Sequence, residues 1–487
     1  MNPSRRYMML KKTHRFFQNL IILGLIGFIL IGCGERSMDG MIIMTRVDKT
    51  KQVVVDDFGS SGPYLTESSI VSIDPENKDA TAMLLSEGFY SACAPELSYD
   101  AESMIFAGQK SKGDIWQIWE MDLKSLKTSQ LTTSTENCID PTFLPGGSIL
   151  FSKQTRDTAG NTGHALFTCN MDGTDLRQIT FNPNDYFASH VLMDGRVLSS
   201  SKEIYPNEKE ANLMVLRPDG TKAELFYQGD EGTKLLSGGS ATNKGKIFMI
   251  EARAGDNGAG KLISIDYNRP MRSKVELSEE IKGSFKSIHP QENGKFLVSY
   301  RSLEDKTFGL YEFDAAANNL GKPLYHDGEF NIAEAFLVAK SERPKKIPSE
   351  VNMLHDSGLL LCQDINFSGD DHAGKDKEVS RAVKIEFLGL ENSMGKVDVE
   401  KDGSVYLKIA ADTPFQIQTL DANGNVVQGP GSWIYIRPNE RRGCVGCHQG
   451  NEMVPENRQP LSVLKEPIII PRPKALIAES KVESEKK

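Results

Sequence analysis

The chain has 487 residues, of which 25% are charged and 39% hydrophobic, with 57 lysines and arginines against 66 aspartates and glutamates. This length suits roughly two to four domains, and the composition excludes an intrinsically disordered chain, a collagen and a polytopic membrane protein. A net charge of -9 without a basic block argues against a nucleic-acid partner, because such binding needs clustered lysines and arginines.

The first 32 residues have the order of a bacterial export signal. Five basic residues lie between Arg5 and Arg15, and an apolar run of 12 residues follows from Leu20 to Ile31. At ~1.5 Å per residue this run is too short to cross ~30 Å of hydrocarbon, which favours a cleaved signal over an uncleaved membrane anchor. We therefore interpret residues 1–32 as a signal peptide.

The end of this segment, Leu30-Ile31-Gly32-Cys33, resembles the lipobox of bacterial lipoproteins, which implies acylation of Cys33 after cleavage. Dual acylation gives stable anchoring, since each buried CH₂ contributes ~0.8 kcal/mol. We expect residues 33–42 to form a tether that holds the protein on a membrane of the bacterial cell envelope, facing the periplasm or the exterior. A plain signal peptide and an uncleaved helix are the alternatives.

Apolar segments that end in aspartate recur at a nearly constant spacing through residues 43–340. The six aspartates are 48, 50, 47, 47 and 48 residues apart: Asp74, Asp122, Asp172, Asp219, Asp266 and Asp314. Aspartate suits the turn after a strand, because its carboxylate can bond the backbone amide two residues on. Four short strands in ~48 residues are typical of a propeller blade, so the repeat predicts an all-β, six-bladed β-propeller. An irregular β-sandwich or a chance spacing is the alternative.

Three segments of this region resemble the repeat of TolB-like propellers: Pro95–Asp100, Met171–Thr180 and Arg217–Gly220. The resemblance implies the fold and no particular chemistry. The chain has no Gly-x-Ser-x-Gly motif, so nothing indicates the serine nucleophile of a propeller-bearing hydrolase. Four histidines are scattered singly through the blades and are typical of satisfied polar residues: His164, His190, His289 and His326.

A charged, proline-bearing segment at residues 341–349 predicts a linker. Beyond it, five short apolar or alternating runs predict strands: Leu359–Cys362, Val383–Phe387, Lys396–Val399, Ser404–Ile409 and Phe415–Gln418. These runs are separated by glycine- and aspartate-containing turns. We expect residues 350–470 to form a small antiparallel β-sandwich, followed by a disordered tail at residues 471–487.

Near the end of this predicted domain lies the sequence Cys444-Val445-Gly446-Cys447-His448. Cys-x-x-Cys-His is the attachment signature of c-type haem, in which the two thiols bond the vinyl groups and the adjacent imidazole binds the iron. A structural disulfide, a redox dithiol and half of a zinc site are the competing interpretations. We expect one covalent haem c, bound through Cys444 and Cys447, with His448 as axial ligand.

The second axial ligand of the iron is not defined by any motif. His372, in a polar glycine-containing segment, and Met453, five residues after His448, are the candidates, with His355 as a weaker one. If none of them reaches the iron, the haem is five-coordinate and open to small ligands.

Several segments of the second domain resemble the hydrazine synthase alpha-subunit family: Asp402–Ser404, Ala410–Pro414, Leu420–Gly424, Ser432–Trp433, Arg437–Arg441, Gly443–His448 and Pro455–Pro460. The resemblance is sharpest between residues 396 and 466, and family members carry a Pro-Gly-Glu-Arg-like lead into Cys-x-Gly-Cys-His. It implies a haem protein of the family, and not hydrazine synthesis, because this chain has one haem motif. It also has no tyrosine between His448 and Lys487.

These features together predict a membrane-anchored, extracytoplasmic monohaem protein. Its propeller would be a platform for a redox protein partner or an unidentified small-molecule ligand, and its haem would transfer electrons or act in small-molecule redox chemistry. A haem-dependent oxidoreductase of the family is a further interpretation. The alternative from another class is a non-enzymatic scaffold or envelope sensor whose Cys444–Cys447 pair is structural.

The seven cysteines are too few for a disulfide scaffold, and their odd number gives at least one another role. Cys93 and Cys138 lie 45 residues apart, near one repeat, and the sequence leaves open whether they form a disulfide. Cys169 and Cys362 lie within apolar runs, so we expect buried thiols.

Overall fold

The computed structural model describes residues 37–50, 64–77, 81–156, 162–241, 245–253, 260–291, 293–367, 381–446 and 457–472. Their regular structure is almost entirely β, with two short 3-10 helices at Pro270–Arg272 and Leu461–Leu464. No helix in these ranges combines the length and the apolar character needed to cross a membrane.

The described residues between 42 and 337 form six antiparallel sheets, arranged as the six predicted blades. Blade 1 contains β1 (Ile42–Asp48), β2 (Ser68–Ile73), β3 (Met83–Leu84) and β25 (Phe330–Leu337). Blade 2 contains β4 (Ser91–Leu97), β5 (Ser103–Gln109), β6 (Gln117–Asp122) and β7 (Thr128–Gln130). Blade 3 contains β8 (Cys138–Leu144), β9 (Ser148–Arg156), β10 (Thr162–Asn170) and β11 (Arg177–Gln178).

The second half of the ring repeats this plan. Blade 4 contains β12 (Asn184–Val191), β13 (Val197–Glu203), β14 (Asn212–Leu216) and β15 (Glu224–Tyr227). Blade 5 contains β16 (Thr233–Leu235), β17 (Ser240–Ala241), β18 (Lys246–Arg253), β19 (Lys261–Asp266) and β20 (Val275–Glu276). Blade 6 contains β21 (Ser284–Pro290), β22 (Phe296–Arg301), β23 (Gly309–Asp314) and β24 (Asn319–Tyr325).

The ring closes because blade 1 combines strands from both ends of the propeller sequence. β1 pairs with β2 on one side and with β25 on the other, and Thr45 lies opposite Glu334. The core lies between adjacent blades, where apolar side chains from neighbouring sheets pack together, as for Ile105, Phe151 and Phe187 of blades 2, 3 and 4. Burial on this scale is the main stabilising force of the fold.

The repeated aspartates occupy the predicted turns. The carboxylates of Asp74, Asp172, Asp219 and Asp314 each accept a hydrogen bond of 3.0 Å from the backbone amide two residues on. Asp122 instead accepts from the amide of Ser125, at 2.7 Å. The period seen in the sequence therefore marks one turn per blade, after the third strand.

Two four-stranded sheets form the second domain. The first has the order β32 (Arg441–Cys444), β26 (Ser357–Cys362), β29 (Val405–Ala410) and β33 (Ile468–Ile470). The second has the order β28 (Ser393–Asp398), β27 (Lys384–Leu388), β30 (Gln416–Leu420) and β31 (Val426–Gln428). Buried side chains of both sheets, including Leu407 and Phe387, share one apolar cluster.

The expectation of a purely antiparallel sandwich was wrong at both edges of the first sheet. β32 runs parallel to β26, and β33 runs parallel to β29. Both edge strands join the first sheet after the chain has passed through the second sheet, so their direction follows from the path of the chain and not from a hairpin.

Residues 341–349 lie against the propeller. The amide of Ser341 bonds the carbonyl of Tyr99, and the amide of Lys345 bonds that of Met193, at 3.0 and 3.2 Å. At Gly195, whose φ is +91°, a Cβ would lie 2.1 Å from the carbonyl oxygen of Lys345. This glycine therefore permits the close approach of the segment to the turn after β12.

The cysteines of the blades are free thiols. Cys93 and Cys138 are both buried, and they do not form a disulfide with each other. Cys169 and Cys362 are buried, as predicted. Burial raises the pKa of Cys138 and of Cys169 to about 11, which keeps both thiols protonated at neutral pH.

Candidate functional site

The first cysteine of the Cys-x-x-Cys-His motif ends an edge strand of the sandwich. β32 pairs only with β26 among the described strands, and Cys444 lies in register with Cys362. The carbonyl of Cys444 accepts a hydrogen bond of 2.9 Å from the amide of Gln363. Cys444 is half-buried against the apolar cluster of the sandwich, and burial raises the pKa of its thiol. The motif therefore begins from a fixed backbone, on the edge strand of this sheet among the described residues.

A buried carboxylate holds the strand in place just before the motif. Glu440 is 0% exposed. Its Oε2 accepts from the amide of Arg437 at 2.8 Å, and its Oε1 accepts from Nε of Arg442 at 3.0 Å and from the amide of Lys222 in blade 4 at 2.9 Å. One side chain thus joins the motif strand, the turn before it and the propeller.

Other contacts between the sandwich and the propeller surround Glu440. The hydroxyl of Tyr435 donates to the carbonyls of Ile179 and Gly220 at 3.1 and 2.9 Å. The indole of Trp433 donates to the carbonyl of Tyr205 at 2.8 Å. Because Tyr435 and Trp433 are both buried, the two domains form a continuous structure at this point.

Two backbone positions explain residue choices around the motif. Asn439 has a φ of +67°, a conformation that glycine and asparagine adopt most readily, which accounts for an asparagine in the turn before β32. At Gly446 a Cβ would lie 2.4 Å from the carbonyl oxygen of Phe367 and 2.8 Å from that of Asp364. Only glycine fits at position 446 without displacing the backbone.

An arginine anchors the chain after the motif. Arg458 forms an ion pair with Asp402 and donates to the backbone carbonyls of Asp402 and Gln363 at 2.7 and 3.3 Å. Asp402 also accepts from the amide of Leu461 at 2.9 Å. Although burial opposes ionisation, these hydrogen bonds hold the pKa of Asp402 at about 2. The fixed charge pair joins the end of the motif segment to the turn before β29.

A pair of hydrogen bonds joins Asn366 and Ala382, which lie on either side of the segment that contains His372. The side chain of Asn366 donates to the carbonyl of Ala382 at 3.1 Å and accepts from its amide at 2.9 Å. Since Phe367 also contacts Gly446, the described ends of residues 368–380 and of residues 447–456 meet at one corner of the sandwich. Arg458, Asp402 and Asn366 were not identified as site residues from the sequence, because no motif connects them.

The remaining predicted site residues lie outside the described ranges: Cys33, His372, Cys447, His448 and Met453. His355 is described and exposed, and it precedes β26, at the opposite end of that strand from Cys362 and Cys444. At ~3.3 Å per residue this separates it from the motif by about 20 Å. Within the described ranges, no three His, Cys, Asp or Glu side chains are placed to hold a metal ion.

The fold and this corner define a class of protein, a six-bladed propeller joined to a β-sandwich whose edge strand leads into Cys-x-x-Cys-His. Residues 361–449 match the family model of the hydrazine synthase alpha subunit middle domain. Over this segment the chain is similar to the hydrazine synthase alpha-subunit family.

Three relatives illustrate the similarity. Hydrazine synthase subunit alpha of Kuenenia stuttgartiensis is 24% identical over 84% of this chain, and the chain spans 66% of that protein. The solved hydrazine synthase of Kuenenia stuttgartiensis matches with a TM-score of 0.76 and 21% identity, over 88% of this chain and 71% of that one. TolB from Acinetobacter baumannii matches with a TM-score of 0.44 and 14% identity, over 63% of this chain and 67% of its own.

Proposed function

We propose that the protein is a lipid-anchored, extracytoplasmic monohaem c-type protein, with haem attached through Cys444 and Cys447 and with His448 as axial ligand. The observation that carries this proposal is the corner of the sandwich, where a motif cysteine stands at an open sheet edge between two anchored chain ends. Haem c bound there would supply a redox-active iron for electron transfer or for chemistry on a small nitrogen or oxygen species.

The residues around the corner suit this role. Glu440 fixes the strand before the motif and Arg458 fixes the chain after it, so both flanks of the proposed attachment site are already positioned. The half-buried position of Cys444 against apolar side chains gives the hydrophobic surroundings that a porphyrin face needs. A zinc ribbon is disfavoured because the chain has no second Cys-x-x-Cys pair.

Covalent haem is tested by a pyridine haemochrome spectrum of protein matured with a cytochrome c assembly system. We expect one haem per chain in the parent protein. Cys444→Ser should carry either no haem or a haem attached through a single thioether bond. The matched control is Cys362→Ser, which changes the neighbouring thiol in register but lies outside the motif. A colourless parent protein would overturn the proposal.

The second axial ligand is proposed to be His372 or Met453. The segment with His372 leaves the same corner as the motif, and Met453 lies four residues before the described residue Asn457. Variants His372→Ala and Met453→Ala distinguish them, because loss of the true ligand converts a six-coordinate spectrum to a five-coordinate one. A Soret shift with CO in the parent protein would instead indicate an open iron and an oxidoreductase role.

The alternative function is a non-enzymatic scaffold or envelope sensor in which Cys444 and Cys447 form a structural disulfide. The contacts of Tyr435 and Trp433 with the propeller favour a rigid two-domain platform in either case. This alternative predicts a protein without haem in which Cys444→Ser changes the melting temperature but no redox property.

The anchor and the partners are proposals of the same kind. Cys33→Ser should move the protein from the membrane fraction to the soluble exported fraction, and an unchanged distribution would contradict lipid anchoring.

A protein partner is supported by the printed name of the similar protein, hydrazine synthase subunit alpha. We propose a redox protein in that role. Co-purification of the parent protein with a cytochrome, lost on mild salt washing, is the expected result.

A further inference from the structure

A cavity in the centre of the propeller brings together ionisable side chains that are far apart in the sequence. Its volume is about 180 Å³, and the innermost strands of all six blades line it. Three of these strands have a bulge with a residue at positive φ: Ala94 at +52°, Asp140 at +47° and Ala188 at +47°. The bulges turn side chains and amides of the ladder towards the axis.

Carboxylates occupy one side of the cavity, on the three consecutive blades 1, 2 and 3. Glu334 accepts hydrogen bonds of 2.8 Å from Thr45 and from the amide of Ala94, and Asp140 accepts one of 3.1 Å from the amide of Ala188. Glu96 accepts from Thr142 at 3.3 Å. Each of these bonds uses one carboxylate oxygen, and among the described residues the other oxygen accepts none.

Imidazoles occupy the other side, on blades 4 and 6. His190 and His289 line the cavity, and the ring of His289 packs edge-on against Phe336 with centroids 4.8 Å apart. Among the described residues, no group forms a hydrogen bond with either imidazole ring. Lys286, just before the lining residue Ser287 of β21, is buried and close enough to Glu334 for their charges to interact.

Burial disfavours charge on every one of these groups. It raises the pKa of Glu96 and of Glu334 to about 7 and lowers the pKa of His190 and of His289 to about 4. The carboxylates also repel one another, since Glu334 raises the pKa of Glu96. A ligand with complementary charges would stabilise the charged forms that burial disfavours.

We propose that the central cavity binds a small zwitterion of the α-amino acid type. Its ammonium group would bond the free oxygens of Glu96, Asp140 and Glu334. Its carboxylate would lie towards the N–H groups of His190 and His289. The volume is similar to that of ~150 Å³ cavities that hold benzene, which suits a small molecule.

A single metal ion satisfies this arrangement less well. The described side chains include no group of three placed as metal ligands, and a cation alone would leave the imidazole side without a partner. The inference concerns the propeller only, so it does not depend on haem at Cys444.

The test is isothermal titration calorimetry of the full, detergent-solubilised protein with L-alanine, L-serine and L-glutamate. Ethylammonium and propionate, each of which carries one of the two charges, are the half-molecule probes. We expect at least one amino acid to bind and both half-molecules to bind about tenfold or more weakly. Equal binding of ethylammonium, or no binding by any amino acid, would overturn the proposal.

Two variants locate the binding in the cavity. Glu334→Gln keeps an acceptor for Thr45 and Ala94 but removes the charge, and should weaken amino acid binding about tenfold or more. His289→Asn acts on the opposite side and should weaken it as well, which covers the case in which Glu334→Gln fails to fold. The matched control Glu136→Gln changes an exposed carboxylate of the loop before β8. Unchanged affinity in a folded Glu334→Gln or His289→Asn protein would contradict the assignment.

Discussion

The carboxylate of Glu440 and the backbone amide of Lys222 are joined by a hydrogen bond of 2.9 Å that connects the strand leading to Cys444 with blade 4 of the propeller. Glu440 is fully buried and also bonds Arg437 and Arg442. Glu440 therefore ties the strand that leads into the Cys-x-x-Cys-His motif directly to the propeller.

Replacing this side chain should be among the most destabilising changes in the sandwich. Glu440→Ala leaves the guanidinium of Arg442 buried without its carboxylate, and breaking such a pair costs about 3–5 kcal/mol. Thermal unfolding measures the loss. The control is Glu350→Gln, whose more exposed ion pair with Lys222 should contribute less than about 1 kcal/mol. Equal melting temperatures for the two variants would contradict the role of Glu440.

The two glycines at the motif should respond differently to the same substitution. Gly446→Ala places a Cβ 2.4 Å from the carbonyl oxygen of Phe367, whereas the Cβ of Gly443→Ala has no atom within 4 Å. Overpacking of this kind costs about 1–3 kcal/mol, so Gly446→Ala should lower both the melting temperature and the yield of haem-bearing protein. Gly443→Ala should match the parent, and a similar loss in both would argue against the close contact.

Asp402, whose pKa is lowered by hydrogen bonds from Leu461, Ser404 and Arg458, should contribute to the acid stability of the sandwich. Because the folded pKa of Asp402 is depressed to about 2, its contribution is present above the pKa of the unfolded chain and is lost as the pH falls towards 2. Arg458→Gln should raise the pKa of Asp402 and shift acid unfolding to higher pH. Acid titration followed by tryptophan fluorescence measures this, with Arg381→Gln, an exposed arginine that bonds only the carbonyl of Lys401 in the described structure, as the control.

The carboxylates of the central cavity should give the opposite pH dependence. Burial raises the folded pKa of Glu334 and Glu96 to about 7. Their favourable contribution is therefore complete below the pKa of the unfolded chain and is lost as the pH rises through about 7. In the absence of ligand, the melting temperature of the parent should fall between pH 5 and pH 8 more than that of Glu334→Gln. Parallel curves would show that Glu334 ionises normally.

The parts of the fold that depend on local sequence could be predicted. The aspartate period identified the turns because the carboxylate of Asp172 bonds an amide only two residues away. The direction of β32 and β33 could not be predicted, because each pairs with a strand reached after a long excursion of the chain. The strand Leu359–Cys362 was found, but its parallel partner carrying Cys444 was not.

The same distinction applies to the sites. The Cys444-Val445-Gly446-Cys447-His448 motif is local, so it can be recognised from the sequence alone. From the sequence, His190 and His289 were interpreted as isolated polar residues, because they are 99 residues apart. The closure of the ring places both of them at one cavity. His164 does satisfy the simpler expectation, since it bonds Tyr64 at 2.7 Å and Asp185 at 3.2 Å.

The attachment of haem to Cys444 and Cys447 is tested by the mass of the intact, purified protein. We expect a mature chain that begins at Cys33 and is heavier than its sequence by the acyl groups and by one haem that survives acid and organic solvent. A mass without haem, together with a loss of two hydrogens from a Cys444–Cys447 disulfide, would overturn the haem proposal and favour the scaffold.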